Sequence, residues 1–396
     1  MKQKEKELSF CSRLLNGPYP SHVKELASSR YPLEIYEAGL KEGASAFGPG
    51  GYLSIPELPS GTSLRLSRYP EVWAESPFIR ILGPAGGWMS AETLEALADL
   101  AERYGQGLVH FTTGGTLEIY TTRENIVPLV RELNALGYDV GSTGDDLRCI
   151  TSCCGPARCD LALVDAPGLA TYLGQRFIDD QQYPGFPQKC KSGVAGCPND
   201  CIRAMMQKDH SFIGVYRDLP VIDELLLEEW VKSGGDWQGL IEACPEGALV
   251  VEGKSSKLKV DPEACVRCMT CINLCSAIRP GKERGVAWVA GGKYGHRGPK
   301  GPMVGYVMVP FFPIRGPEDY DALGDLFGAF LEFWADQAKP KERVGDFISR
   351  VGPSRILREL GLSVEPQVVE MPRKNVFRPC KGTVVEIKGA FYGCTG

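Results

Sequence analysis

Two pairs of cysteines in the middle of the chain have the spacing of metal ligands. Cys153 and Cys159 have five residues between them, and Cys197 and Cys201 have three. An iron-sulfur cubane needs four thiolates that converge on one point, and two close pairs on separate loops can supply them. A disulfide is also possible, but the second pair lies in the turn Gly196–Cys201, which would direct both sulfurs to one side. The spacing therefore favours a cluster.

A second group of cysteines follows the pattern of a bacterial ferredoxin. Cys265, Cys268 and Cys271 are each separated by two residues, Cys275 follows after three more, and Cys244, followed by proline, lies upstream. In this pattern the first three cysteines of the run and the remote one hold a cubane, while the fourth of the run serves a second cluster. The sequence has no second remote group of cysteines to complete such a second cluster, and Cys275 is not followed by proline. We therefore predict that Cys275 binds no cluster. Structural zinc is the alternative for both groups, although the run differs from two Cys-x-x-Cys knuckles. The predicted ligands of this cluster are Cys244, Cys265, Cys268 and Cys271.

Four basic residues accompany the cysteines. Lys189 and Lys191 alternate across Cys190, so that on a strand both ammonium groups would project to one face. Arg148 precedes the first cysteine pair, and Arg80 lies on an earlier predicted strand. Fixed cations of this kind can hold a small anion and donate protons to it. A solvated strand face and surface ion pairs are the alternative, since exposed Lys and Arg are the rule.

The runs Cys153–Cys159 and Gly196–Cys201 resemble the signature of siroheme-dependent sulfite and nitrite reductases. The resemblance implies that the four cysteines of these pairs hold a [4Fe-4S] cluster, and that Cys201 also bridges to the siroheme iron. The family spacing selects Cys153 as the ligand over its neighbour Cys154. The resemblance also implies that four cations bind the oxyanion and stabilise the charge that moves as S–O bonds break. These cations are Arg80, Arg148, Lys189 and Lys191.

The same resemblance implies a further set of residues around the siroheme. Siroheme carries many carboxylates, so its pocket needs more cations than the substrate does. Ordinary surface charges and turn glycines are the alternative for each candidate. The candidates are Arg65, Arg68, Thr112, Thr113, Lys208, Gly291, Gly292, Lys293 and Arg297.

The ferredoxin insert, with the runs Cys265–Met269 and Gly144–Arg148, looks most like the alpha subunit of dissimilatory sulfite reductases. That resemblance implies six-electron reduction of sulfite towards sulfide at siroheme coupled to one [4Fe-4S] cluster. Electrons from a donor would enter through a second [4Fe-4S] cluster, of ferredoxin type. It further implies a homologous beta subunit in an α2β2 assembly and a small sulfur-carrier protein that accepts the reduced sulfur.

Other functions remain open at this point. A siroheme reductase of nitrite or another oxyanion would use the same residues, and so would an enzyme that runs oxidatively. A non-catalytic electron-transfer or scaffold subunit is the alternative from another class. The tail from Phe377, with Cys380 and Cys394, departs from the usual alpha-subunit ending and leaves room for a divergent paralogue.

The composition is ordinary for a soluble globular protein. The chain has 396 residues, of which 43% are hydrophobic and 23% charged, with a net charge of -5. This charge gives no electrostatic case for nucleic acid or an anionic membrane. Fifteen cysteines gathered at metal spacings indicate a reducing, cytoplasmic setting. The charged start Met1–Lys6 lacks an apolar segment behind it, and no run reaches the ~18 apolar residues of a membrane span.

The pattern of elements predicts an α+β fold. Between Pro77 and Val140 the order is β-α-β-β-α-β, the ferredoxin-like split unit. Ser90 is expected to cap the first of its helices, and Thr121 with Glu124 to form a capping box for the second. A siroheme and [4Fe-4S] domain of mixed α/β structure follows, with an inserted [4Fe-4S] ferredoxin domain. The predicted divisions are an N-terminal wrapping segment (1–75), the split unit (76–145), the siroheme domain (146–238 and 283–315), the ferredoxin insert (239–282), and C-terminal helices with a tail (316–396).

Overall fold

The computed structural model of the chain divides into two compact units. The first comprises Met1–Pro84, Trp88–Cys149 and Phe177–Lys189, and the second comprises Ala85–Gly87, Ile150–Arg176 and Cys190–Gly396. The predicted wrapping segment lies largely outside the described residues, as do Cys380 and Cys394. The structure describes residues 50–52, 62–65, 76–183, 185–252, 257–295, 301–364, 385–387 and 390–392.

An antiparallel sheet with the strand order β1-β2-β3-β5-β4 forms the first unit. Two helices cover it, and their apolar faces share one buried core with the strands, around Ile79, Leu100 and Leu129. The last predicted strand, 138–140, is reduced to a single bridge between Ile81 and Val140. The elements are β1 (Gly50–Tyr52), β2 (Thr62–Arg65), β3 (Ser76–Leu82), α1 (Ala91–Tyr104), β4 (Gly105–Phe111), β5 (Thr116–Thr121) and α2 (Ile126–Ala135).

The predicted N-cap of helix α1 is present in the structure, whereas the predicted capping box of helix α2 is not. Helix α1 begins as expected, because Ser90 Oγ accepts a backbone N–H of the first turn at 3.1 Å. The capping box of Thr121 and Glu124 is wrong. Thr121 is the last residue of β5, and its hydroxyl donates to the carbonyl of Tyr104 at 2.6 Å. Helix α2 therefore starts one turn later, with Asn125 at the N-cap position and no side-chain cap.

A mixed sheet with the order β14-β13-β8-β7-β6 forms the centre of the second unit. Strands β6, β7 and β8 run parallel to one another, whereas β13 is antiparallel to β8 and to β14. The elements up to the insert are β6 (Thr151–Ser152), α3 (Ala166–Arg176), α4 (Ile178–Gln182, in the first unit), β7 (Ser192–Ala195), α5 (Ala204–Gln207), β8 (His210–Tyr216), β9 (Val221–Ile222) and α6 (Glu224–Lys232).

The ferredoxin insert and the C-terminal helices belong to the same unit. In the helix Tyr320–Gln337, Phe327, Phe330 and Trp334 are buried, so these aromatic residues form a packing face. The remaining elements are α7 (Trp237–Glu242), β10 (Leu249–Glu252), β11 (Lys257–Val260), α8 (Thr270–Leu274), β12 (Ile278–Arg279), β13 (Arg284–Ala290), β14 (Tyr306–Pro313), α9 (Tyr320–Gln337), α10 (Val344–Val351), α11 (Pro353–Glu359), β15 (Val385–Ile387) and β16 (Ala390–Tyr392).

The predicted strand through Lys189 and Lys191 is wrong. Strand β7 begins only at Ser192, because the backbone N–H of Lys191 donates to the carboxylate of Asp209 at 2.8 Å instead of to a neighbouring strand. The two lysines also belong to different compact units: Lys189 is the last residue of a segment of the first unit, and Lys191 lies in the second. The domain boundaries predicted at 145 and 238 stay predictions, because this division cuts the chain elsewhere.

Candidate functional site

Three side chains line up across neighbouring strands of the first unit. Arg80 on β3 is the register partner of Glu118 on β5, which in turn is the register partner of His110 on β4. The guanidinium of Arg80 contacts Glu118 Oε1 at 3.0 Å from Nε and 2.5 Å from Nη2, and His110 Nδ1 lies 3.0 Å from Oε2. Glu118 is only 1% exposed. A buried carboxylate therefore holds Arg80 in place from the adjacent strand.

Arg80 and Arg148, far apart in the sequence, meet at one carbonyl oxygen. Arg80 Nη1 donates to the carbonyl of Ser142 at 2.6 Å, and Arg148 Nη1 donates to the same oxygen. Arg148 also donates to Gly144 O at 2.6 Å and pairs with the buried Asp146 at 3.3 Å. Ser142 has a φ of 65°, so the loop places its carbonyl from a left-handed conformation. The first unit thus gathers two of the four predicted substrate cations.

Lys191 is held through its backbone in the second unit. Its N–H donates to Asp209 Oδ2, and its carbonyl accepts the N–H of His210 at 2.9 Å. Asp209 is fully buried and forms two bonds with Arg343, at 2.9 and 2.7 Å. Burial opposes the charge of this arginine, but the Asp209 carboxylate outweighs it and raises the pKa of Arg343. Lys189, in the first unit, is half-buried, and its N–H donates to Gln188 Oε1 at 3.1 Å.

The first cysteine set lies at one edge of the mixed sheet. Cys153 follows β6 and Cys197 follows β7, and these two strands are parallel, so their carboxyl ends meet at the same edge. Gly196 N–H donates to Cys153 Sγ at 3.1 Å. The pKa of Cys197 is raised, mainly by burial and further by the thiols of Cys159, Cys201 and Cys153.

The second cysteine set lines a single pocket. Cys244, Cys265, Cys268 and Cys271 all border this pocket, together with Tyr216. Cys244 Sγ accepts the N–H of Ala248 at 3.1 Å. The pKa of Cys271 is raised to about 11, first by burial and then by the thiols of Cys268 and Cys265. Cys275 is instead fully buried in the apolar core beside this pocket.

Both sets have the features that a cluster ligand requires. Backbone N–H groups already point at Cys153 and Cys244, and hydrogen bonds to the sulfurs stabilise thiolates on iron. Within the described residues, no group of three or more His, Cys, Asp and Glu side chains is arranged to hold a metal ion. The ligands of a four-iron cubane stand further apart than those of a lone ion, because each thiolate binds a different iron.

The residues predicted to surround the siroheme differ in burial and in their partners. Lys293 is buried and its ammonium contacts both oxygens of Asp346, at 2.9 and 2.8 Å, so the structure gives it an internal partner. Lys208 is also buried, Thr112 hydrogen-bonds Thr116 within its own turn at 2.7 Å, and Thr113 is exposed.

The remaining siroheme candidates are two glycines and three arginines. Gly291 has a φ of 98°, and a Cβ on Gly292 would stand 2.5 Å from the carbonyls of Lys208 and Met205, so both positions require glycine for packing alone. The side chains of Arg65, Arg68 and Arg297 lie outside the described part of the chain. The role of all these candidates stays a prediction.

The sequence analysis missed the residues that hold the cations. Glu118 and Asp209 each sit beside or within a buried strand, where an acidic residue needs a partner. For Glu118, a single acid between Leu117 and Ile119 was the signal that could have found it, whereas Asp209, between Lys208 and His210, carried no such signal. Arg343, in the C-terminal helices, carried no such signal.

Comparison with known proteins identifies the family. The model of the nitrite and sulphite reductase 4Fe-4S domain matches residues 143–367, and that of the nitrite/sulfite reductase ferredoxin-like half domain matches residues 77–136. The first match covers more than half of the chain, so the chain belongs to the nitrite and sulfite reductase family.

Within the family the chain is similar to dissimilatory-type sulfite reductases. It is 32% identical over 337 residues to the alpha subunit of the dissimilatory-type sulfite reductase of Allochromatium vinosum, covering 83% of this chain and 80% of that protein. It is 27% identical to the corresponding beta subunit of Archaeoglobus fulgidus, over 71% of this chain and 78% of that protein. A crystal structure of dissimilatory sulfite reductase I superposes with a TM-score of 0.75 at 27% identity, covering 94% of this chain and 90% of that one. The predicted α+β reductase fold is thereby confirmed. None of the described helices has the length and apolarity to cross a membrane.

Proposed function

We propose that the chain is the alpha-type subunit of a sulfite reductase that reduces sulfite by six electrons towards sulfide. The observation that carries the proposal is the gathering of all four ferredoxin-type cysteines around one pocket, in the compact unit that also holds the first cysteine set. Two cluster sites in one unit provide a route for electrons from a donor to a reaction centre.

Each cysteine set would hold one [4Fe-4S] cluster. The first set is Cys153, Cys159, Cys197 and Cys201, with Cys201 as the bridge to siroheme, and the second is Cys244, Cys265, Cys268 and Cys271. Siroheme with its cluster would supply one-electron redox chemistry at iron. The residues of this chain bind and orient the oxyanion and supply protons.

Arg80 is suited to binding an anion. A guanidinium has five N–H donors, and three of those on Arg80 have partners among the described residues. The remaining two can donate to an oxyanion while Glu118 and the Ser142 carbonyl keep the group in place. Arg148, Lys189 and Lys191 would complete the set of cations and stabilise the negative charge that moves onto departing oxygens.

Partners follow from the same proposal. We expect a homologous beta subunit in an α2β2 assembly, a small sulfur-carrier protein and an electron donor. The described cysteines are free thiols, which fits a reducing compartment and a cytoplasmic location. A siroheme nitrite reductase is the second candidate, because the same cations would bind nitrite.

The test is anaerobic purification of the chain with whatever co-purifies, followed by siroheme extraction, iron counting and turnover of sulfite and nitrite. We expect siroheme, iron for two cubanes per chain and preference for sulfite. Cys271→Ser should remove the iron of one cubane, whereas Cys275→Ala, the matched control, should keep both. Two cubanes without any tetrapyrrole would overturn the proposal and leave a two-cluster electron carrier, and faster turnover of nitrite would select the second candidate.

A further inference from the structure

Tyr216 carries a buried hydroxyl beside the four ferredoxin-type cysteines. It is the last residue of β8 and is fixed by pairing with Arg284 on β13. Its side chain is 3% exposed, and within the described part of the chain its hydroxyl has no hydrogen-bond partner. A buried hydroxyl without a partner is unfavourable, so this position indicates that the hydroxyl has a partner in the working protein.

The surroundings of Tyr216 include the pocket of the ferredoxin-type cysteines. Tyr216 lines this pocket together with Cys244, Cys265, Cys268 and Cys271. A tyrosine hydroxyl ordinarily has a pKa of about 10, so at neutral pH it keeps its proton and can donate a hydrogen bond.

The cysteine loop is fastened to the strand end that carries Tyr216. Arg267 Nη1 donates to the carbonyl of Cys265 at 2.6 Å, and its Nε donates to the carbonyl of Arg217 at 3.0 Å. Arg267 and Met269 both have positive φ, at 55° and 68°, so the loop adopts a conformation that the surrounding contacts must hold. The position of the hydroxyl relative to the sulfur ligands is therefore fixed by the fold.

We propose that the Tyr216 hydroxyl donates a hydrogen bond to a sulfur of the [4Fe-4S] cluster held by Cys244, Cys265, Cys268 and Cys271, and thereby raises its reduction potential. This inference rests on the proposed function, since it requires that cluster. Reduction adds negative charge to the cluster, and a donor aimed at a sulfur stabilises the reduced state more than the oxidised one. Tyr216 tunes the entry of electrons and takes no part in the reaction at the substrate.

The test is a potentiometric titration of the anaerobic holoenzyme, followed by EPR, in wild type and Tyr216→Phe. The variant keeps the ring and removes only the hydroxyl. We expect the equilibrium constant for reducing the ferredoxin-type cluster to fall about threefold or more, or ~28 mV at 59 mV per tenfold change for one electron. The potential of the siroheme-coupled cluster should not change, which provides an internal control.

Tyr306→Phe is the matched control variant, because Tyr306 is also buried and its hydroxyl bonds Ser349 Oγ at 2.8 Å instead of lining this pocket. It should leave both potentials unchanged. Site-specific 3-fluorotyrosine at position 216 retains the hydroxyl, makes it a stronger donor and should shift the potential upwards, so it tests the same bond if Tyr216→Phe fails to load iron.

The two hypotheses fail differently. An intact ferredoxin-type EPR signal with the same potential in wild type, Tyr216→Phe and the fluorotyrosine protein would overturn the role of Tyr216 alone. The absence of any ferredoxin-type signal in the wild type would overturn the proposed function, and this inference with it.

Discussion

Asn199 and Asn273 form a reciprocal pair of amide hydrogen bonds. Asn199 Nδ2 donates to Asn273 Oδ1 at 3.1 Å, and Asn273 Nδ2 donates to Asn199 Oδ1 at 2.8 Å. Asn199 lies in the loop between Cys197 and Cys201, whereas Asn273 lies on α8, two residues after Cys271. The pair therefore ties the segment of one proposed cluster to that of the other.

Removal of this pair should loosen α8 by a predictable amount. The two bonds together contribute about 1 kcal/mol, so Asn199→Ala and Asn273→Ala should each speed hydrogen exchange in Thr270–Leu274 about fivefold. The double variant should match the singles, because each single substitution already breaks both bonds. Exchange mass spectrometry checks this, with Gln238→Ala as control, since Gln238 Nε2 donates to Glu242 Oε1 within α7 at 2.8 Å. If the double variant instead exchanged faster than either single variant, by the product of the two increases in rate, the two residues would act separately.

If Arg80 binds the anion as proposed, that binding should require the buried carboxylate of Glu118. In Glu118→Gln the guanidinium of Arg80 loses its ionic partner, and we expect kcat/KM for sulfite to fall about tenfold, or ~1.4 kcal/mol, with siroheme and iron content unchanged. Steady-state kinetics of the holoenzyme checks this. Glu132→Gln is the control, because Glu132 makes an exposed ion pair with Arg103 in the same unit. Equal kcat/KM in the wild type, Glu118→Gln and Glu132→Gln would show that Glu118 does not contribute to anion binding.

The pair of Asp209 and Arg343 should stabilise the chain around Lys191. Breaking a buried ion pair leaves one charge uncompensated, so Asp209→Asn should lower stability by about 3 kcal/mol. The double variant Asp209→Asn with Arg343→Gln should lose less, because neither charge remains. Anaerobic thermal denaturation compares these proteins with Asp325→Asn, which removes an exposed pair with Arg176. A double variant less stable than both singles would contradict this account.

His210 should make the stability of the second unit depend on pH. Full burial lowers its pKa to about 4, and Trp288 Nε1 donates to its Nδ1 at 3.2 Å, which requires the neutral ring. In the unfolded chain its pKa is about 6.5, so between about pH 6.5 and 4 the unfolded state binds more protons. Stability contributed by the neutral ring is therefore present above about pH 6.5 and lost as the pH falls, at up to about 1.4 kcal/mol per pH unit.

The variant His210→Gln isolates this effect, because glutamine keeps an acceptor for Trp288 but does not titrate. Thermal denaturation at pH 7, 6 and 5 should show the wild-type advantage shrinking as the pH falls. A constant difference between the two proteins across this range would mean that His210 does not titrate as its burial requires.

Much of the fold was determined by local patterns. The strand β3, the cap of α1 at Ser90 and the packing face of α9 follow from alternation, a capping residue and helical periodicity, which act between neighbours in the chain. The two cysteine groups could likewise be recognised in the sequence as candidate cluster ligands, because the spacing of close ligands is set over a few residues. Thr121 shows where local patterns fail to predict structure. It fits a capping box in the sequence, but in the structure it is the last residue of β5 and its hydroxyl donates to the carbonyl of Tyr104.

Only the tertiary structure decided how the cations are held. That Arg80 and Arg148 share the carbonyl of Ser142, and that Glu118 stands opposite Arg80, depends on sheet register and on a left-handed loop residue. Likewise Lys191 is held by Asp209, and Arg343 reaches that acid from a distant segment. Residue types and spacing specify which groups can do chemistry, but the pairing of distant segments determines which of them meet, because it depends on packing of the whole chain.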